Sequence, residues 1–428
     1  MQIHIVKSGE TLSSIARNYG VSVTLLQRLN EVPPSGALAV GQTLVVFEKA
    51  RTRVVRPGET LSAIARSEDV PLLTLYQNNI FLRGRSDIEA GEELIVSLGE
   101  EQRGTLGVNG YAYPFIRPAL LQQVLPYMTY LTPFTYGFFP SGQLVVPEDE
   151  EMLRLAPLYG AVPWMHLSTL TERDTFDNAL GSNLLRNVEA QEALINSVER
   201  VIAEKGYRGL DVDFEYLDRD LGAAYAAFIT RLTERLNPEG VPVLVALAPK
   251  TSANQQGLLY EAHNYRLLGE AANAVLLMTY EWGYTYGPPM AVSPMPQVRR
   301  VLDYALTEIP REKIFLGVPT YGYDWPIPYE QGRTKAVSVS PNEALRLARQ
   351  YGAEIFYDER AQAPYFRYTT PNGIAHEVWF EDARASLAKF TLAQENGLQG
   401  VGLWNLMRNA PQTYLVLHGA FKIEKLPT

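Results

Sequence analysis

Three carboxylates stand at every second position of one short segment of the chain. Asp211, Asp213 and Glu215 alternate with large apolar residues, and this alternation is typical of a β-strand. The acids would then share one face of the strand, with about 6.6 Å from each to the next along the chain. Neighbouring carboxyl groups oppose one another's ionisation, which raises their pKa values. The segment therefore predicts a site for acid catalysis.

An acidic strand at the edge of a sheet would show the same alternation, so the pattern needs support from its neighbours. Asp and Glu make up 47 of the 428 residues, and three acids at this spacing are expected by chance about 0.6 times in such a chain. Gly209 stands two residues before Asp211, and a helix-like run ends at Gly206. These neighbours favour a buried strand that follows a helix.

Composition excludes several classes of protein. The formal net charge is −9, and residues 1–100 contribute only −1 of it, because they hold 10 Lys and Arg against 11 Asp and Glu. No basic stripe is present, which argues against a nucleic-acid partner and favours an uncharged ligand such as a glycan. The chain has no Cys, and its five His form no close-spaced pair. We therefore expect neither a metal site nor a cofactor.

The N-terminal segment lacks the apolar core of about 7 to 15 residues that marks a secretory signal peptide. No run approaches the roughly 18 apolar residues of a membrane-spanning helix. We expect a monomer that does not span a membrane.

The first hundred residues contain a duplication. At an offset of 49, 12 of the 25 positions from Val6 to Asn30 are identical in the second copy. Gly41, Leu44 and Val46 recur at an offset of 50, so the second copy has one extra residue in its loop. Each copy predicts the order strand, helix, helix, strand. We place the copies at 1–48 and 51–98.

Eight apolar, strand-like runs separated by helical patterns follow the duplication. They lie at 104–111, 129–138, 161–168, 209–215, 243–248, 274–280, 314–321 and 399–405. This order predicts an α/β fold, a (β/α)8 TIM barrel over 104–428. The interval 322–398 is too long for one crossover helix, so we expect a small α+β insertion at about 324–385. Catalytic residues of such barrels lie at the carboxyl ends of the strands.

Both copies of the duplicated segment resemble LysM modules, because each keeps the motif V-x-x-G-E-T-L-x-x-I-A. The resemblance implies that they bind the N-acetylglucosamine of peptidoglycan or chitin through the turn before the first helix. The residues implied are Gly9, Thr11 and Leu12 in the first copy and Gly58, Thr60 and Leu61 in the second.

The barrel segment resembles glycoside hydrolase family 18, the chitinase-type barrels. The family's strand-four motif, D-G-x-D-x-D-x-E, is met from Gly209 to Glu215, although Arg208 replaces its first Asp. The strand-six motif M-x-Y-D is met from Met278 to Glu281, with Glu in place of the last Asp. The platform Trp of strand eight and the Ser of strand three are matched by Trp404 and Ser168.

The resemblance implies a role for each of these residues. Glu215 would protonate the glycosidic oxygen, and the substrate's own acetamido oxygen would attack the anomeric carbon. Asp213 would orient the acetamido group, Asp211 would share a proton with Asp213, and Tyr280 would bond the acetamido oxygen. The expected substrate-binding residues are Trp404, Met278, Tyr321, Ser168, Tyr111 and Glu281. For effective catalysis near neutral pH, the pKa of Glu215 should lie at roughly 6 to 7.

Two LysM copies ahead of such a barrel are similar to the spore cortex-lytic N-acetylglucosaminidases of endospore-forming bacteria. This resemblance implies hydrolysis of β-1,4 bonds after N-acetylglucosamine in peptidoglycan, by a retaining mechanism, at the spore coat, the cortex or the cell wall. Two alternatives stay open: a chitinase or chitooligosaccharide hydrolase, and a wall or coat protein that binds glycan without hydrolysing it.

Overall fold

A computed structural model describes residues 1–171, 175 and 177–427 of the chain. Residues 172–174, 176 and 428 of the range predicted as the barrel lie outside the described residues. The first module contains β1 (Gln2–Ile5), α1 (Leu12–Tyr19), α2 (Val23–Leu29) and β2 (Thr43–Val46). The second contains β3 (Arg51–Val54), α3 (Leu61–Ser67), α4 (Leu72–Asn78) and β4 (Glu93–Ser97). In each module the two strands pair antiparallel, so the predicted order of elements is confirmed.

Seventeen described strands and ten described helices follow the modules. The strands are β5 (Thr105–Ala112), β6 (Tyr130–Pro133), β7 (Gly137–Phe138), β8 (Leu144–Val145), β9 (Val162–Pro163), β10 (Met165–Ser168), β11 (Leu210–Asp213), β12 (Val243–Leu247), β13 (Ala274–Leu277), β14 (Ile314–Pro319), β15 (Gly322–Ile327), β16 (Val337–Val339), β17 (Phe356–Asp358), β18 (Ala363–Thr369), β19 (Ala375–Trp379), β20 (Gly400–Trp404) and β21 (Lys422–Ile423). The helices are α5 (Pro118–Val124), α6 (Glu150–Leu155), α7 (Asn178–Leu185), α8 (Val188–Lys205), α9 (Gly222–Leu236), α10 (Tyr265–Ala271), α11 (Met295–Glu308), α12 (Pro341–Tyr351), α13 (Ala383–Glu395) and α14 (Pro411–Ala420). Short 3₁₀ helices lie at Ile80–Leu82, Leu125–Tyr127, Ala156–Tyr159, Arg219–Leu221, Asn237–Glu239 and Arg311–Lys313.

The central sheet is parallel, in the order β10, β11, β12, β13, β14, β20, β5, β6, β9. Only Trp164 separates β9 from β10, so these two segments form a single strand, and the sheet closes into a ring of eight. The prediction of a (β/α)8 barrel is confirmed. The carboxyl ends of all eight strands meet at one mouth, which is where such barrels carry their chemistry.

An antiparallel sheet of five strands interrupts the barrel between β14 and α13. Its order is β16, β15, β19, β18, β17, and α12 packs against it through a core that contains Phe366 and Val378. Ala39 of the first module is buried in the same core. The predicted α+β insertion is therefore present, and the first module packs directly on it. Among the described helices, none is long and apolar enough to cross a membrane.

Candidate active site

Strand β11 presents the acidic row at the mouth of the barrel. Leu210, Val212 and Phe214 are fully buried, and the ring of Phe214 stacks at 5.8 Å on that of Tyr225 in α9. Gly209 is required at the start of the strand, because a Cβ there would lie 2.5 Å from the indole of Trp164. Packing on the even-numbered face thus directs the odd-numbered acids to the opposite face.

Arg208, which replaces the first Asp of the family motif, is exposed just before the strand. Its position is even-numbered, whereas the acids occupy odd-numbered positions. The replacement therefore leaves the acidic row unaltered.

Asp211 is the deepest of the three acids. It is completely buried, and its Oδ2 accepts a hydrogen bond of 2.6 Å from the Tyr111 hydroxyl. Burial raises the pKa of Asp211 to about 7, and the bond from Tyr111 opposes this rise. No hydrogen bond joins Asp211 to Asp213, although each leaves its Oδ1 buried and without a partner among the described residues. The hydroxyl of Tyr111 therefore holds one oxygen of Asp211, and a proton shared between Asp211 and Asp213 stays a prediction.

Asp213 and Glu215 lie nearer the surface. Burial raises the pKa of Asp213 well above its ordinary value, and the charges of Glu215 and Asp211 raise it further. Glu215 is half-buried, and burial raises its pKa from 4.5 to about 7. Its carboxyl group makes no hydrogen bond to any described residue. Glu215 therefore keeps a proton to near-neutral pH and has it free for transfer, which is what a general acid requires.

Two polar side chains from β10 lie beside the acids. His166 pairs in register with Asp211, and Ser168 with Asp213. The Nε2 of His166 lies 3.8 Å from Oδ2 of Asp213. Burial lowers the pKa of His166 to about 3, so the imidazole is neutral and this contact is not an ion pair. The Thr135 hydroxyl lies 2.7 Å from Nδ1 of His166 and 3.0 Å from Oγ of Ser168. These three side chains form a neutral polar layer next to the acids.

His263 fixes the backbone immediately before Glu215. Its Nδ1 accepts from the N–H of Ala248 at 3.0 Å, so its Nε2 carries the hydrogen and donates to the carbonyl oxygen of Phe214 at 3.0 Å. Burial lowers the pKa of His263 to about 4, which keeps this tautomer uncharged. Tyr216 then adopts a left-handed conformation with φ of 53°, so the chain turns directly after Glu215.

The segment after β13 brings Tyr280 and Glu281 to the same mouth. Burial and the charges of Asp213 and Glu215 raise the pKa of Tyr280 well above 10, so its hydroxyl remains a donor. Glu281 is exposed to the groove and accepts hydrogen bonds from the hydroxyls of Tyr321 and Tyr323. Met278 is half-buried and packs against the aromatic core inside the barrel.

Trp404 ends β20, four strands around the ring from β11, and so lies across the mouth from the acids. It is half-buried. Ring centroids of Phe134, Tyr111 and Tyr113 lie 4.9, 5.9 and 6.3 Å from that of Trp404. An indole held in this way offers a flat apolar surface of the kind that binds sugar rings.

The structure separates the expected substrate-binding residues into two groups. Glu281 is exposed, and Trp404 and Met278 are half-buried. Tyr111, Ser168 and Tyr321 are buried. They support the site through hydrogen bonds: Tyr111 bonds Asp211, Ser168 bonds Thr135, and Tyr321 bonds Glu281.

The turns expected to bind glycan in the LysM modules are open at their tips. Gly9 and Gly58 are exposed with φ of 81° and 80°, and Thr11 and Thr60 accept from backbone N–H groups as the N-caps of α1 and α3. Leu12 and Leu61 lie in the module cores. The side chains of those two leucines are therefore not available to a glycan.

Sequence reasoning missed Thr135, His166, His263 and Phe134. His166 offered one signal, since it stands two residues before Ser168 and so on the same face of its strand. The others are brought to the site by tertiary packing alone.

Comparison with known proteins finds matches to both parts of the chain. Residues 175–409 match the family described as glycosyl hydrolases family 18, and residues 4–47 and 54–97 match the LysM domain. The chain is 40% identical to the cortical fragment-lytic enzyme of Bacillus subtilis (strain 168), with 99% of each chain covered. The crystal structure of the spore cortex-lytic enzyme SleL of Bacillus megaterium QM B1551 is 36% identical, with a TM-score of 0.84 over 100% of this chain and 99% of that one.

A chitinase from Chromobacterium violaceum ATCC 12472, at 22% identity and a TM-score of 0.68 over 73% of this chain and 98% of that one, shares the fold. The family match and the full-length relatives together carry the assignment. The chain belongs to glycosyl hydrolase family 18 and is a glycoside hydrolase with two N-terminal LysM domains.

Proposed function

We propose that the chain hydrolyses β-1,4 bonds after N-acetylglucosamine in the peptidoglycan of the spore cortex, with Glu215 as general acid and base. The observation that carries the proposal is the state of Glu215. It is a half-buried carboxyl group with a pKa of about 7, it is free of hydrogen bonds to the described residues, and it stands two positions from Asp213. The relatives at 40% and 36% identity over nearly the full chain have names that specify cortex lysis, which supports this choice of substrate.

In the first step, Glu215 donates its proton to the glycosidic oxygen, and the bond from that oxygen to the anomeric carbon breaks. The acetamido oxygen of the same sugar attacks the anomeric carbon, which gives an oxazolinium ion. Asp213 stabilises the positive charge of this ion, and the Tyr280 hydroxyl donates to the acetamido oxygen and orients it. Trp404 supports the apolar face of the sugar ring.

In the second step, the Glu215 carboxylate takes a proton from water, and the resulting hydroxide attacks the anomeric carbon on the face opposite the acetamido oxygen. The oxazolinium ring opens, the amide re-forms, and the anomeric configuration is retained. Glu215 regains its proton and can act again. The buried Tyr111, His166 and Thr135 hold Asp211 and Asp213 in place during both steps.

The LysM modules hold the enzyme on its glycan, and we place it at the spore cortex or cell wall. The exposed turns at Gly9 and Gly58 are the surfaces proposed for this contact.

Incubation with spore cortex fragments, vegetative wall and chitin, followed by mass spectrometry of the products, tests the proposal. We expect new reducing ends at N-acetylglucosamine, released fastest from cortex fragments. New ends at muramic acid would refute the choice of bond, and preference for chitin would refute the substrate. Glycan binding without release of any product would leave a non-hydrolytic binder.

A further inference from the structure

The platform residue Trp404 is followed by a short segment, residues 405–410, that joins β20 to α14. We call it the platform loop. Near Trp404 the barrel itself holds the loop, through a hydrogen bond of 2.8 Å from the N–H of Leu406 to the carbonyl of Tyr111. Farther along, Arg408 donates to the Ser338 hydroxyl of the insertion at 3.2 Å. The end of the loop is held by the first LysM module.

The contact from the module is made by a single carboxylate, Glu31. Its Oε2 accepts hydrogen bonds from the side-chain amides of Asn409 at 2.6 Å and Asn342 at 2.8 Å. Its Oε1 accepts from Gln123 of α5 at 3.1 Å. Asn409 belongs to the platform loop, Asn342 to the insertion and Gln123 to the barrel. One side chain therefore joins three parts of the catalytic domain.

Several neighbouring contacts keep Glu31 in place. Its own backbone is left-handed, with φ of 48°, a conformation that a non-glycine residue keeps only where its surroundings hold it. The Thr43 hydroxyl donates to Gln412 at 2.6 Å, just beyond the platform loop. The N–H of Ile355 in the insertion donates to the carbonyl of Val40 at 2.9 Å. Gly41 must be glycine here, since a Cβ would lie 1.9 Å from the carbonyl oxygen of Ile355.

The second module lacks this arrangement. Ile80 occupies the position equivalent to Glu31, and it is buried in the apolar core. Gly91, equivalent to Gly41, is exposed, with no atom within 4 Å of a Cβ built on it. Both copies have the LysM motif, whereas the carboxylate that bonds Asn409, Asn342 and Gln123 is present in the first copy and replaced by Ile80 in the second. A requirement common to LysM folds therefore does not account for Glu31.

We infer that Glu31 is a positioning residue for the Trp404 platform. Through its bonds to Asn409 and Asn342, the first LysM module fixes the platform loop against the insertion and so fixes the indole that supports the sugar. The first module then helps to position a substrate-binding residue of the active site, in addition to the glycan binding proposed for it. The kinetic part of the test below rests on the proposed role of Trp404, and the spectroscopic part does not.

Fluorine NMR of the full chain labelled with 5-fluorotryptophan provides the spectroscopic test. The chain has five Trp, and the Trp404 signal is assigned from Trp404→Phe. Glu31→Ala should shift or broaden the Trp404 signal and leave the other four within their linewidths. Glu31→Gln should restore the signal, because its amide oxygen can accept from both Asn side chains while Gln123 reverses its amide to accept from the new NH₂ group. Glu48→Ala is the matched control: it removes an equal charge from an exposed site of the same module, where Gln2 is the one described residue that hydrogen-bonds the carboxylate.

Kinetics on soluble cortex fragments provides the second readout. Glu31→Ala should raise KM about tenfold and change kcat by less than about twofold, because it loosens the binding surface and leaves the acids untouched. Glu31→Gln and Glu48→Ala should behave as the parent enzyme. Asn409→Ala should reproduce the effect of Glu31→Ala, and the double variant should be no worse than either single variant.

An unchanged Trp404 signal in folded Glu31→Ala overturns the inference, and so does a change of all five signals together, which reports general loosening. A fully additive double variant also overturns it. If no fragment is hydrolysed by the parent enzyme, the proposed function fails, and the Trp404 signal still decides whether Glu31 positions the platform.

Discussion

The barrel domain holds two sets of carboxylates: Asp149 by itself, and the acidic row of Asp211, Asp213 and Glu215. They differ in how many hydrogen-bond donors surround them. Asp149, which directly precedes α6, is completely buried. Its Oδ1 accepts from the ammonium group of Lys205, and its Oδ2 accepts from the hydroxyls of Tyr136 and Tyr207. Both carboxylate oxygens of Asp149 thus accept hydrogen bonds. In the acidic row, Tyr111 is the one described residue that donates to Asp211, and no described residue donates to Glu215.

The difference shows why one group stabilises the fold and the other serves catalysis. A buried carboxylate that accepts several hydrogen bonds and faces a cation is stable as an anion. A buried carboxylate without these partners keeps its proton, as the pKa of about 7 at Glu215 shows. Because the unfolded chain would ionise near 4.5, folding becomes less favourable as pH rises from about 4.5 to 7. The acidic row therefore lowers stability at neutral pH, and the same feature makes a proton available.

Glu215→Gln should produce the largest effect of any change in this comparison. We expect kcat to fall about 1,000-fold, because the general acid and base is lost. The free energy of unfolding at pH 8 should rise by on the order of 1 to 3 kcal/mol, since a neutral amide replaces a carboxylate that is ionised at that pH and poorly solvated. Product release from cortex fragments and urea denaturation measure the two quantities. Loss of activity together with loss of stability would contradict this account.

Asp213→Asn should have the next largest effect. The variant keeps the shape of the side chain but can no longer become negatively charged as the oxazolinium ion forms, so kcat should fall about 100-fold. Binding of the uncleaved glycan should change less than twofold, which calorimetry on an otherwise identical Glu215→Gln background can measure. An equal fall in kcat for Asp213→Asn and for a surface change such as Glu48→Gln would remove Asp213 from the mechanism.

Glu215 should determine whether kcat/KM rises or falls with pH. The protonated form is active in the first step, and it is present below the pKa of about 7. We expect kcat/KM to fall about tenfold for each pH unit above 7. The residual activity of Glu215→Gln should be flat over the same range, which is the control. A rate that keeps rising from pH 7 to 9 in the parent enzyme would show that another group is the acid.

The sequence predicted the fold and the acids because both depend on local periodicity. The alternation from Leu210 to Glu215 has the period of a strand, and the eight apolar runs occur at the positions of the barrel strands. Packing of Phe214 against α9 follows from the same alternation, because one face of the strand must be apolar.

The support around the acids could not be predicted, because its residues come from distant parts of the chain. Thr135 precedes its partner His166 by 31 positions, and Glu31 meets Asn342 and Asn409 at separations of 311 and 378. No local pattern encodes such pairs. Tyr111, whose hydroxyl donates to Asp211, lies 100 positions away along the chain.

Asp149→Asn should have the smallest effect on activity and an opposite effect on stability. The amide oxygen can accept from the two tyrosine hydroxyls that now bond Oδ2. The NH₂ group then faces the ammonium group of Lys205, so this hydrogen bond is lost and the charge of Lys205 is unbalanced. We expect the free energy of unfolding to fall by about 1 to 3 kcal/mol, with kcat/KM within twofold of the parent enzyme. Denaturation and kinetics at pH 7 measure both. Glu215→Gln should instead raise stability and remove activity. The two variants together therefore separate the carboxylate that stabilises the fold from the one that serves catalysis. If Asp149→Asn lowered kcat/KM as strongly as it lowered stability, the distinction between the two groups of carboxylates would not hold.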